Sequence, residues 1–84
     1  MFLIRHFVTT TWAGKFKPTL APDEYKLKVY VGGGGREEPA QRKAIQQIDK
    51  FMPSKGYAYY TITGSRYIWL PLSAYEFTIL FRRP

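Results

Sequence analysis

The chain has 84 residues, with 13 Lys+Arg against 6 Asp+Glu, one His, no Cys, and 7 Tyr, 6 Phe and 2 Trp. A chain of this size buries only about 60% of its unfolded surface, so residues 1–84 are expected to form one domain without room for two lobes around a cleft. Zero Cys excludes disulfides, thiolate nucleophiles and zinc ribbons, and a single His cannot build a multi-histidine site, so no metal, no cofactor and no enzymatic activity are expected.

Residues 2–12 are predicted as a strand, because Phe2, Ile4, Val8 and Trp12 share one parity with His6 and Thr10. Residues 13–23 contain Gly14, Pro18 and Pro22 and read as a loop or long hairpin connection. The second strand is clearer: Tyr25, Leu27, Val29 and Val31 alternate with Lys26, Lys28 and Tyr30, which places two lysines and a tyrosine on the solvent side. Gly32–Gly35 follow and are read as a flexible hinge, since they match neither a P-loop nor a dinucleotide-binding spacing. A helix is predicted next. Glu37 and Glu38 favour its first turn, Ala40, Ala44, Ile45, Ile48, Phe51 and Met52 recur on one side, and Pro53, Ser54 and Gly56 are expected to stop it.

The last third reads as a β-meander. Tyr57–Thr63 is a strand, Thr63-Gly64-Ser65 a tight turn, Arg66–Leu70 the returning strand and Tyr75–Phe81 the final one, with Tyr75, Phe77, Ile79 and Phe81 on one parity. The expected fold is therefore α+β, a mostly antiparallel sheet of order β-β-α-β-β-β with one helix packed on one face.

Little catalytic chemistry is on offer. His6 titrates near neutrality but has no nucleophile motif around it, and Asp23-Glu24 and Glu37-Glu38 stand where capping and helix-dipole effects account for them. Basic and aromatic residues are better represented. The net charge is +7, and residues 39–84 hold two acids (Asp49, Glu76) against seven bases (Arg42, Lys43, Lys50, Lys55, Arg66, Arg82, Arg83). A surplus of that size governs association with anionic partners. A positive groove with exposed rings is what single-stranded nucleic acids need, and the candidates are Lys15, Phe16 and Lys17 in the loop, Lys26, Lys28 and Tyr30 on the second strand, and Tyr57 and Tyr59 later. Arg66, Tyr67 and Trp69 carry the residue types of protein-interface hot spots, with Tyr67 and Trp69 projecting away from the core if Ile68 and Leu70 face it. Structural alternatives stand beside these readings: lysines alternating with apolar residues protect an edge strand, which here could instead pair with a second copy, and tyrosines pack their rings into small cores.

From Lys43 to Pro71 the chain resembles a small family of phage-type anti-CRISPR proteins that inhibit type I surveillance complexes. The residues that carry the likeness are Lys43-Ala44-Ile45-Gln46, Thr61-Ile62-Thr63, the pair Gly64-Ser65 and the apolar stretch reaching Pro71, about a third of the chain. The resemblance implies a non-enzymatic inhibitor that docks on a Cas subunit or ribonucleoprotein in the host cytoplasm and prevents target capture. A charge of +7 departs from inhibitors that mimic DNA, so the partner would be an acidic protein surface or exposed guide RNA, met through residues such as Lys26, Lys28 and Arg66. The alternative is direct binding of single-stranded DNA or RNA. In either case the start of the chain lacks the pattern of a secretory signal and no apolar run approaches the ~20 residues of a membrane span, so a cytoplasmic monomer or homodimer is expected.

Overall fold

The computed structural model describes residues 11–31, 37–69 and 72–84. His6, Gly32–Gly35 and most of the predicted first strand lie outside them. Within them are β1 (Thr11–Ala13), β2 (Lys17–Pro18), β3 (Glu24–Val31), α1 (Glu37–Lys55), β4 (Tyr59–Ile68) and β5 (Ala74–Arg82). The architecture is α+β: an open antiparallel sheet with one helix.

Both β1 and β2 pair with β3, so they act as one interrupted edge strand and the order across the sheet is β1/β2, β3, β5, β4. Ala13 stands opposite Val29 and Lys17 opposite Lys26, which leaves three residues, Gly14 to Phe16, facing two. That extra residue is a bulge, and it lets Phe16 turn in to the core while Lys15 and Lys17 stay exposed. The Gly14 N–H donates to the Lys28 carbonyl at 2.9 Å and ties the bulge to β3.

The alternation predicted for β3 and β5 holds. Leu27, Val29 and Val31 on β3 and Phe77, Ile79 and Phe81 on β5 are buried against Ala40, Ala44 and Ile48 of α1. Two alanines at the crossing bring helix and sheet close together, and the larger side chains gather at the C-terminal end of the helix. There Phe16 stacks on Phe51 at 4.1 Å, Tyr57 stacks on Phe81 at 4.8 Å, and Tyr25 meets Phe51 edge-on at 5.0 Å. Aromatic pairs of this geometry contribute roughly 0.5–1.5 kcal/mol each beyond burial.

Four expectations are corrected. First, Thr63-Gly64-Ser65 is not a turn: β4 runs unbroken from Tyr59 to Ile68 along β5, with a bulge between Ile62 and Gly64. Reversal at Thr63 would leave half of the apolar β5 without a backbone partner on that side, a cost the continuous ladder avoids. The meander therefore contributes two strands rather than three, and the chain order is β-β-α-β-β once the interrupted edge is taken as one strand. Second, of the three residues expected to stop the helix, Gly56 does so and Pro53 does not. The proline is accommodated in the last turn, and the stop is Gly56, whose φ of 75° closes a double hydrogen-bonded cap from Gly56 N–H to Pro53 O and from Tyr57 N–H to Met52 O. Third, Tyr57 precedes β4 and is buried rather than outward. Fourth, Tyr25–Val31 is no sheet edge, since β3 has neighbours on both sides.

Candidate functional site

The helix covers only one face of the sheet. Residues directly opposite across an antiparallel pair point to the same side, so the registers of β2, β3, β5 and β4 define what the other face carries. Three rows cross it: Lys17, Lys26, Thr78 and Gly64; then Lys28, Glu76 and Arg66; then Tyr30, Ala74 and Ile68. Beyond them lie Glu24, Leu80 and Thr61, and finally Arg82 and Tyr59.

The bulge in β4 decides which residues of that strand join this face. Before it, Tyr60 and Ile62 lie on the helix side with Phe81 and Ile79; after it, Ser65 and Tyr67 do, opposite Phe77 and Tyr75. The extra residue thus turns Arg66 toward the helix-free face. Tyr67 consequently points the other way from the sequence-based expectation: its ring lies 5.0 Å from that of Tyr75, its hydroxyl donates to Ser73 Oγ at 3.2 Å, and Ile68 takes the helix-free side.

A cavity of about 250 Å³ opens on the helix-free face, lined by Gly14, Lys15, Lys17, Lys26, Lys28, Tyr30 and Glu76. A second, of about 260 Å³, adjoins it and shares Lys26 and Glu76, with Gly64, Ser65, Arg66 and Thr78 completing its wall. Gly64 keeps this second hollow open, because a Cβ built there meets nothing within 4 Å. Among the described residues, none of Lys15, Lys17, Lys26 and Lys28 forms an ion pair; the two ion pairs present are Arg42–Glu38 on the helix and Arg66–Glu76 at 2.9 Å. Four like charges face one hollow, and the carboxylate that borders it, Glu76, is already paired with Arg66, so the hollow keeps a positive potential.

Of the eleven residues singled out from the sequence, Lys15, Lys17, Lys26, Lys28, Tyr30 and Arg66 are brought together here. Phe16 is not: it is packed under the helix and is not an outward ring. Tyr67 and Trp69 are exposed, at 47% and 66%, but gather with Arg66 and Ile68 around a separate shallow hollow at the end of β4. The halves of the chain do not separate the charge as their composition suggests, since the four lysines of the main cavity all precede residue 39. Glu76 and Gly14 were missed. The signal for Glu76 was its parity, opposite to that of Tyr75, Phe77, Ile79 and Phe81, and the signal for Gly14 was its place directly before the basic stretch Lys15-Phe16-Lys17.

Away from this face, Tyr57 donates to Asp23 Oδ1 at 2.8 Å, and burial, with Tyr25 and Asp23 as neighbours, pushes its phenol above the ordinary value near 10.0. Asp23 itself adopts a φ of 58° in the tight connection into β3. The Arg83 guanidinium donates to the Lys55 carbonyl at 2.7 Å and lies 4.7 Å from the Tyr57 ring, so that cation caps the helix C-terminus. No group of three His, Cys, Asp or Glu that could hold a metal occurs among the described residues, and no helix among them is long and apolar enough to cross a membrane. No family model, no curated protein and no solved structure matches the chain.

Proposed function

We propose that the chain is a non-enzymatic binding module whose helix-free sheet face takes the sugar–phosphate backbone of a single-stranded nucleic acid. The observation that supports this is the convergence of four unpaired lysines on one cavity. Because β3 is a central strand, Lys26 and Lys28 are not edge protection, and folding needs no more than polarity from them. Two residues apart on one strand, they stand about 7 Å apart, the order of spacing between successive phosphates of an extended strand. Tyr30 lines the same cavity and Tyr59, 61% exposed, stands farther along the face. A base stacked on such a ring contributes about 1–3 kcal/mol.

The test is fluorescence anisotropy with a short labelled oligonucleotide across a salt series. Each phosphate contact lowers the logarithm of affinity by about 0.7 per decade of salt for single strands, so four contacts give a slope near −3. Absence of binding at low salt overturns the proposal.

A second reading, an inhibitor that docks on a host nucleoprotein complex and blocks its target, is favoured by one observation: Tyr67 and Trp69 are both exposed and border one hollow at the end of β4. Large apolar side chains clustered in this way suit a protein partner. It predicts that the chain inhibits target-DNA capture by a purified type I surveillance complex and that Trp69→Ala relieves the inhibition.

A further inference from the structure

One carboxylate that a pure phosphate groove would exclude borders the two cavities of the helix-free face. Glu76 lies in the middle of the sheet, borders both cavities, and has a side chain only 12% exposed. Lys28 stands opposite it on β3 and Arg66 opposite it on β4. Arg66 Nη2 donates to Oε1 at 2.9 Å, and Oε2 accepts no hydrogen bond from the described residues. The surrounding cations cannot accept a hydrogen bond from a ligand's donor, because Lys and Arg only donate. Glu76 therefore presents the strongest acceptor on a face otherwise rich in donors, and it repels any phosphate placed directly over it.

We propose that Glu76 Oε2 accepts a hydrogen bond from a ribose 2′-hydroxyl, so that this face selects RNA over DNA. The inference rests on the nucleic-acid reading above. Its geometry follows from the register: with a phosphate on Lys28, whose Cβ is about 5 Å from that of Glu76, the group next along the backbone is the sugar. A sugar–phosphate backbone of DNA carries no internal donor, whereas every internal RNA nucleotide carries the 2′-hydroxyl. Base donors lie farther from the phosphate, at the outer edge of each ring. One unused oxygen matches one hydroxyl, while bidentate recognition of a base edge would require Glu76 to release Arg66.

The experiment compares three single strands of identical length and base sequence, as RNA, DNA and 2′-O-methyl RNA, by competition against one labelled oligonucleotide. A hydrogen bond to a charged acceptor corresponds to about a tenfold change in affinity. RNA is expected to bind about that much more tightly than DNA, with 2′-O-methyl RNA, which keeps the sugar but lacks the donor, at the level of DNA. In Glu76→Ala the three should converge while the salt slope persists, a melting curve confirming that the variant is folded. Equal affinity for RNA and DNA in the unaltered protein, retained tight binding of the 2′-O-methyl strand, or an RNA preference unchanged in Glu76→Ala each overturns the inference and leaves the nucleic-acid reading standing. No binding of any strand removes both. Should Glu76→Ala unfold, the 2′-O-methyl comparison decides alone.

Discussion

The two faces of the sheet solve the same problem under different constraints. On the helix side, Leu27, Val29, Phe77, Ile79 and Phe81 are all buried, and each is apolar because burial without a hydrogen-bond partner leaves no other choice. On the far side the physics asks only for polarity, which residues of mixed sign supply equally well. The chain instead places Lys17, Lys26, Lys28, Arg66 and Arg82 there against Glu24 and Glu76. Meanwhile the outer side of α1 is nearly balanced, with Arg42, Lys43 and Lys50 beside Glu38 and Asp49. Stability accounts for the first face in full. It accounts for the second in part, and the unexplained part is the sign.

That contrast can be broken from either side. The largest effect is expected from Phe81→Ala, which removes a fully buried ring stacked on Tyr57 and should cost about 3–5 kcal/mol in chemical denaturation. Next, Lys26→Gln combined with Lys28→Gln should leave the denaturation midpoint within about 0.5 kcal/mol of the parent. The same pair of changes should reduce the salt slope of nucleic-acid binding by about 1.4, two contacts' worth. A core-like loss of stability in that double variant would erase the distinction between the faces. Smaller is Tyr57→Phe, which deletes the hydrogen bond to Asp23 and should cost about 1 kcal/mol near neutral pH. Its phenol also gives a pH signature. Below about pH 10 both folded and unfolded chains keep the proton; above it the unfolded chain releases it first, so stability falls as pH rises further, and Tyr57→Phe should flatten that part of the fall. The smallest effect is expected from Gly64→Ala. The added methyl meets nothing and a strand glycine costs roughly 0.5–1 kcal/mol, so the melting temperature should rise slightly, while the methyl enters the second cavity and should weaken binding. Gained stability with lost affinity would separate the two faces most sharply.

Much of the helix side was legible in the sequence, because period-two and period-3.6 patterns report burial directly. Val29 and Phe77 were assigned to the core by parity alone, and Ala40, Ala44 and Ile48 by helical spacing. The helix end was legible at Gly56, which supplies the cap, but not at Pro53, which removes a hydrogen bond only within the last turn. The bulge was not legible. Thr63-Gly64-Ser65 carries the same residue types as a turn, and what distinguishes the two is whether β5 offers a partner on both sides of it, a fact of tertiary pairing. Phe16 was lost for a related reason, since in a loop no parity says which way a ring points. The lysines of the site were each identified, yet their convergence depended on β2 joining the same edge as β1, which local pattern does not reveal.

The bulge at Thr63 also sets how this strand tolerates changes in length. Ladder pairs on either side of it are regular, Ile62 with Ile79 and Gly64 with Thr78, so a chain lacking Thr63 would retain every one of them. An insertion between Gly64 and Arg66 would act differently. Side chains alternate with a period of two, so one added residue there turns Arg66 away from Glu76 and exchanges the sides of everything up to Ile68. Variation in length thus spares the ladder at one position, at the loss of the Thr63 hydroxyl's bond to the Thr78 carbonyl, and disrupts it a few residues later, although both belong to the same strand.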